Sequence, residues 1–422
     1  MKKLSYAVPL ALALAQLCAL LSGCGASGKD AAPAPTAAVT AAPADPAPTA
    51  APQAEPEPEP SPEPSVMVTL PDGSQVDSRA AEVDLSELSD LDLEEALDCL
   101  DRLPELKLIE LGQERPELSW ESVRRLVEAR GGADINFAFK LCGKQFHLAD
   151  TRMDLNHIPM DDDGALVKRV VVCMPNLISL DMDSCGVGDE DMAAIRDSIP
   201  EAKVVWRIWF GETYSVRTDV ERILASKPSR GGTLFPETLS GLKYCTQVKY
   251  LDMGYNTVIN DIGFLAYMPK LEVAILAKNN FSDLSPLENC PELNYLEIQS
   301  TNVSDLSPLS ELKKLKHLNL CSSQGVRDLS PIYGLSQLER LWLGGYTAVP
   351  AEGIAAMQAA VPDCLINTTA NEAFEGMWRA AEVGSMFPLH PRYIQLLEEF
   401  GDYSETAYSY SWNDPLYEGG TT

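Results

Sequence analysis

Histidine is scarce in this chain, with 4 in 422 residues, and Lys plus Arg number 33 against 62 Asp plus Glu, a formal net charge of -29. So few histidines leave little material for a multi-histidine metal centre. A surface this acidic meets nucleic acid or anionic lipid only against repulsion, so nucleic acid is excluded as a partner. Strings of the GxSxG, HExxH or Walker A type are absent, and so is any Cys-x-x-Cys pair that would support a thiolate zinc site. Paired carboxylates are so frequent that no single pair is nominated for acid–base work. The chain is read as a non-enzyme with no cofactor and no metal. Its 45% hydrophobic residues still allow a sizeable core.

The N-terminus reads as an address. Lys2 and Lys3 precede an apolar run from Ala7 to Leu21, broken by Pro9 and Gln16, and Leu21-Ser22-Gly23-Cys24 follows. The run is short for a membrane span, and the small residues before Cys24 resemble a bacterial lipobox, in which the cysteine is diacylated and becomes the first residue. An ordinary signal peptide with an incidental cysteine is the alternative. Two acyl chains at about 0.8 kcal/mol per buried CH₂ suffice for stable anchoring, so the membrane is met through lipid on Cys24 alone. Loss of Lys2 and Lys3 takes the 33 basic residues to 31 and the net charge to -31. Residues 24–65 are dominated by Ala, Pro, Thr and Glu, and they lack the apolar periodicity a fold needs. In polyproline II, roughly 40 residues would hold the body about 100 Å from the membrane.

A fixed period dominates the body. Segments opening at Val248, Leu271, Leu293, Leu315 and Leu338 share an apolar core pattern, with starts 23, 22, 22 and 23 residues apart. Leu293, Leu296 and Ile298 are expected to point inward while the residues between them face out. Ser285, Ser307 and Ser330 before Pro286, Pro308 and Pro331 predict an N-cap followed by proline at the first helical position. Asn256 and Asn279 fall where an amide can bond the backbone inside a turn; Thr301, Ser323 and Tyr346 replace it later.

Longer units flank this tract. Leu106 leads to a helix within Leu118–Ala129, Leu177 to one after Gly188, and Leu338 to one after Ala351. The first two continue in parallel, matching Gly143 to Gly211 and Phe146 to Tyr214, as duplicated strand–helix–strand modules. Met153–Leu155 predicts a further strand. Thr218 and Glu221 predict a capping box opening a helix to Ala225, and Gly231–Ser240 an inserted loop. The boundaries expected are a signal peptide at 1–23, a linker at 24–65, and a capping hairpin at 66–83. Irregular helix-bearing modules at 84–240 and regular repeats at 241–367 follow. A helical cap with a Tyr-rich tail closes the chain at 368–422, its helices at Glu372–Val383 and Arg392–Phe400 covering the last open coil.

Cys245 and Cys290 take core positions filled elsewhere by Leu or Met, and act as small hydrophobes. Asp181-Met-Asp183-Ser-Cys185-Gly186 begins like a calcium loop but lacks ligands at its fifth and twelfth positions. The outward strand positions stack into rows: Tyr250, Val273, Tyr295, His317, Arg340, and Asp252, Ile275, Glu297, Asn319, Trp342. Tyr, Trp and Arg are enriched at binding hot spots, so these rows are the expected binding surface.

The Leu-x-x-Leu-x-Leu cores and the repeated Asp-Leu-Ser-Pro identify the chain as similar to bacterial leucine-rich-repeat lipoproteins with internalin-like repeats. The resemblance covers roughly Asp84 to Asn367 and implies an α/β repeat solenoid: a leucine-rich-repeat horseshoe with a parallel sheet on its concave face and mixed helical and 3₁₀ returns. It also implies a cell-surface protein that holds a protein partner, or less often a glycan, on that face. The expected ligand-binding residues are Tyr250, Asp252, Tyr255, Ile275, Tyr295, Glu297, His317, Asn319, Arg340 and Trp342, and a basic partner is expected from the acidic charge. The alternative is an envelope scaffold docking through its flanks or its C-terminal tail.

Overall fold

The structure, a computed structural model, describes residues 65–130, 132–212, 214–226, 234–345, 348–370, 378–380 and 389–400. The chain divides into two units, Met1–Glu63 and Pro64–Thr422. The signal peptide, Cys24, the proline-rich linker, Tyr346 and the Tyr-rich tail lie outside the described residues.

The folded unit opens with an antiparallel hairpin of β1 (Met67–Thr69) and β2 (Gln75–Asp77), turned at Pro71-Asp-Gly73 as its composition predicts. Next come β3 (Glu82–Asp84), α1 (Asp90–Leu100), β4 (Leu108–Gln113), α2 (Trp120–Arg130), β5 (Asp134–Leu141) and β6 (Lys144–His147). Ser89 and Asp92 start α1 with a reciprocal capping box. The second module runs through β7 (Arg152–Asp154), α3 (Ala165–Val171), β8 (Ser179–Asp181), α4 (Asp189–Ser198), β9 (Lys203–Val205), β10 (Arg207–Trp209) and β11 (Ser215–Arg217). Both modules close in an antiparallel hairpin, β5 with β6 and β10 with β11, which is the duplication seen in the sequence. Phe139–Phe146 and Phe210–Tyr214 ring contacts fill the corresponding positions.

Then β12 (Arg222–Leu224), β13 (Tyr250–Asp252), β14 (Val273–Ile275), β15 (Tyr295–Glu297), β16 (His317–Asn319) and β17 (Arg340–Trp342) follow. After α5 (Ala351–Ala360) comes β18 (Leu365–Asn367), and β12 to β18 form one seven-stranded parallel sheet in sequence order. Helix α6 (Pro391–Glu399) is the last described element.

One expectation fails at β12. The segment after Thr218 is a strand, with Arg222, Ile223 and Leu224 pairing with Tyr250, Leu251 and Asp252. Thr218 is buried, and its hydroxyl accepts the Trp206 N–H at 3.3 Å instead of capping a helix. Arg-Ile-Leu-Ala repeats the polarity of Tyr-Leu-Asp-Met, but the insertion stretches the spacing to the next coil and hides the period. The end of the expected Gly231–Ser240 loop is instead the start of a 3₁₀ helix, Pro236–Tyr244.

Each regular coil turns the same way. Ser285, Ser307 and Ser330 are the first residue of the 3₁₀ return, not its cap, and their N–H groups donate to Asp283, Asp305 and Asp328 at 2.8 Å. The repeated Asp therefore supplies the acceptor that was assigned to Ser. Leu293, Leu296 and Ile298 are fully buried, as expected. Asn256 donates to the carbonyls of Ala225, Met253 and Gly254, and Asn279 continues the ladder to Met253. Thr301 and Ser323 keep one bond each, both to the Ile298 carbonyl, at 2.8 and 3.0 Å.

Candidate protein-binding strand face

In-register pairing aligns outward side chains into rows across the sheet. The first row reads Arg222, Tyr250, Val273, Tyr295, His317, Arg340, Leu365, and the second Leu224, Asp252, Ile275, Glu297, Asn319, Trp342, Asn367. Nine of the ten expected ligand-binding residues fall in these rows. Tyr255 does not; it sits in the turn after β13 at φ 61°, exposed, with the Lys278 ammonium 4.8 Å from its ring centroid.

Asp or Asn in the second row, and at the matching third residue of β3 and β7, has a local task. The side chains of Asp84, Asp154, Asp252, Asn319 and Asn367 each accept the N–H of the residue two further on, at 2.9–3.0 Å. This Asx turn bends the chain out of the strand. Glu297 is one methylene longer, and its carboxylate is directed elsewhere. Tyr295 OH and Trp378 Nε1 donate to its Oε1 at 2.5 and 2.8 Å, while Gln299 Nε2 and Arg379 Nη2 donate to Oε2 at 3.1 and 2.6 Å.

Trp378 and Arg379 come from the far end of the chain, and with them the rows cease to be an open surface. Tyr295, Glu297, Asn319 and Trp342 are 0% exposed, and Ile275, Asp252, His317 and Arg340 are also buried; Tyr250 is half-buried. The expectation that these residues face solvent is corrected. The Trp378 indole packs edge-on against Trp342 at 5.1 Å and lies 5.3 Å from the Tyr295 ring. Arg340 lies 4.4 Å from the Trp378 ring centroid and donates to its carbonyl at 2.9 Å. Arg392 lies over Tyr295 and donates to Asn294, and Phe400 reaches Tyr250 at 5.9 Å. The described C-terminal residues thus cover the strand face from Trp342 on β17 back to Tyr250 on β13. Within the expected helix Glu372–Val383, the described Ala380 forms an antiparallel bridge with Leu389, which is extended backbone.

Burial works against the Glu297 charge, but the Arg379 guanidinium and the converging donors outweigh it and hold its carboxyl below the usual range. Burial, then the Glu297 charge, pushes the Tyr295 phenol well up, so it remains a donor. Burial and the Arg340 cation push His317 down to about 2. His317 is therefore neutral and accepts from Arg340 Nε at 3.1 Å through Nδ1. The calcium-like string is also occupied by arginine: Arg207 makes a two-pronged pair with Asp183 at 2.7 Å, and Arg217 bonds Asp181. No cluster of three or more His, Cys, Asp or Glu among the described residues is arranged to hold a metal. Burial pushes the Cys290 thiol up to about 12, in keeping with a core position.

The 22- and 23-residue period, one short parallel strand per coil, inward leucines and 3₁₀ returns define the architecture. It is a leucine-rich-repeat solenoid. No family model matches the chain, and no curated protein does. Among solved structures, an internalin of Listeria monocytogenes is similar at 17% identity over 75% of this chain and 86% of that one, with a TM-score of 0.30. Internalin C2 of the same organism gives 16% over 58% and 80% at 0.28, and a leucine-rich-repeat protein of Leptospira interrogans 15% over 64% and 74% at 0.31. The repeat assignment rests on this chain's own strand register.

The strand face of the earlier solenoid modules is open at three of its strands. Glu82, Asp84, Asp134, Asn136, Arg152 and Asp154 are exposed on β3, β5 and β7. Trp378, Arg379 and Arg392 were missed as strand-face residues because nothing local marks where they dock. The available signal was Glu297 itself, a Glu at the position where Asp252, Asn319 and Asn367 form turns in other coils.

Proposed function

We propose that this chain is an exported, lipid-anchored, non-enzymatic solenoid that binds another protein through its strand face. One observation carries the reading: the rows from β13 to β17 hold a polypeptide, the chain's own, through Trp378, Arg379, Arg392 and Phe400. Trp and Arg seated on Tyr, Trp and a buried carboxylate are the contacts that dominate protein–protein hot spots. A second protein meets the face first at its open acidic positions, Asp84, Asp134 and Asp154, which favour a basic partner. A glycan is the less favoured ligand. Anchoring rests on the Leu-Ser-Gly-Cys24 string; among the described residues no helix is long and apolar enough to cross a membrane.

The test is capture from a surface-protein extract by the chain from Ser65 onward, beside an Asp84→Lys/Asp154→Lys variant. Loss of the partner by a variant that still unfolds cooperatively is the expected result. Equal capture by both would remove the open face as the site, and loss only on deleting Gly401–Thr422 would favour scaffold docking by the tail. For the anchor, Cys24→Ala should move the protein from the membrane to the soluble fraction.

A further inference from the structure

We propose that Trp378 and Arg379 are an internal stand-in for a partner's peptide, and that the site around Glu297 takes a segment in which an aromatic residue precedes an arginine. This rests on the strand-face reading above and adds the chemistry of the ligand and its regulation.

The receptor half of the site belongs to the solenoid alone. Tyr295 and Gln299 fix the Glu297 carboxylate from its own strand and the turn after it. Tyr295, His317 and Trp342 form an aromatic slot beside it, and Arg340 presents a guanidinium to whatever main chain enters. The ligand half needs an indole N–H for Oε1, a guanidinium for Oε2 and a carbonyl for Arg340 Nη1. Trp378-Arg379 supplies each of them over two residues. A guanidinium is the side chain best matched to a buried carboxylate, and an indole has both the apolar body and the single donor the slot requires.

The fit is good at the ligand and poor around it. Arg340 donates to a neutral His317 and a carbonyl rather than to a carboxylate. Its Nη2, with Gln299 Oε1, Asn319 Nδ2 and Glu399 Oε2, is buried without a hydrogen-bond partner. A settled core pairs nearly all such atoms. A charged, incompletely paired face under a segment from the chain's own end is the composition of a surface that is also exposed. The solenoid does not need the segment for its own pairing, since β12 to β18 are in register and their leucines are buried between coils. Release of Trp378 and Arg379 therefore leaves the repeat core intact and frees Glu297 for a partner.

Such cis-occupancy lowers the apparent affinity for a competing peptide in proportion to the open fraction. The probe is a labelled synthetic peptide of residues 375–382, Glu-Gly-Met-Trp-Arg-Ala-Ala-Glu, titrated by fluorescence anisotropy against the full exported chain. With an open state populated at about 1%, a Trp378→Ala/Arg379→Ala variant should bind it about 100-fold more tightly than the parent. Adding Glu297→Gln, or replacing the peptide's arginine by alanine, should remove that gain. No binding to a double variant that unfolds as cooperatively as the parent would overturn the proposal.

Should the double variant fail to fold, hydrogen exchange on the unaltered chain decides. Amides of Tyr393, Ile394 and Phe400 should exchange through a separate opening, faster than those of Leu296 and Leu318. Exchange of both sets in one global event would overturn displaceability. If the peptide fails while the Asp84/Asp154 face still captures a partner, only this inference falls; if capture fails too, the proposed function falls with it.

Discussion

The strand faces at the two ends of the solenoid start from the same kind of sequence and finish in opposite environments. On β3 and β7 the carboxylates Asp84 and Asp154, each the third residue of its strand, are exposed and close their own turns. On β15 the equivalent Glu297 is fully buried and holds residues more than eighty positions away. Burial of a strand-face acid is thus set by what crosses the face and not by the strand that carries it. A carboxylate can be taken out of water only where donors converge on it, and here Arg379, Trp378, Tyr295 and Gln299 do so.

The largest expected effect falls on the covered face. Glu297→Ala leaves Arg379 without its carboxylate and should cost about 3–5 kcal/mol in denaturant unfolding, as for other broken buried pairs. The corresponding Asp84→Ala on the open face should cost about 1 kcal/mol or less. Equal losses at the two positions would break the comparison.

Between these lies the asparagine ladder. Asn256→Ala deletes the donor shared by the Ala225, Met253 and Gly254 carbonyls and should cost about 1–3 kcal/mol. A change near zero would mean that the turn is held by backbone alone.

Acid should sharpen the contrast by the smallest step. His317 is held down to about 2 by burial and Arg340, and His390 to about 4 by burial and Arg340, both below the ordinary 6.5. Arg392 and Lys316 also face His317, with Glu339 3.9 Å from its Nε2. A folded pKa below the unfolded one means the unfolded chain binds the proton first, so stability is full above about 6.5 and falls as the pH drops below it. Glu297, held below its ordinary 4.5, has the same sign, its contribution being lost as the pH falls through its lowered pKa. Between pH 7 and 5, exchange at Tyr393 and Ile394 should therefore rise while Ile109 and Ile135 in β4 and β5 stay protected. Uniform loss of protection would remove the histidines as the cause.

Much of this was legible in the sequence. The period placed β13 to β17, the apolar positions and the helices after Leu118, Gly188 and Ala351, because each depends on residues within one coil. The strand at Arg222 was misread because the insertion after it broke the period. The Ser–Pro motif does not supply the cap because Asp283, Asp305 and Asp328 do that work two residues earlier. Tyr255 is among the expected ligand-binding residues, yet its left-handed backbone turns it off the sheet.

By itself, then, the sequence determined a solenoid, its strand register and which side chains share a row, since all three follow from local periodicity. Only the tertiary structure decided that the row from Tyr250 to Trp342 lies beneath Trp378, Arg379 and Phe400. That contact joins residues far apart in the chain through one buried carboxylate and a cluster of rings, and no periodic pattern encodes it.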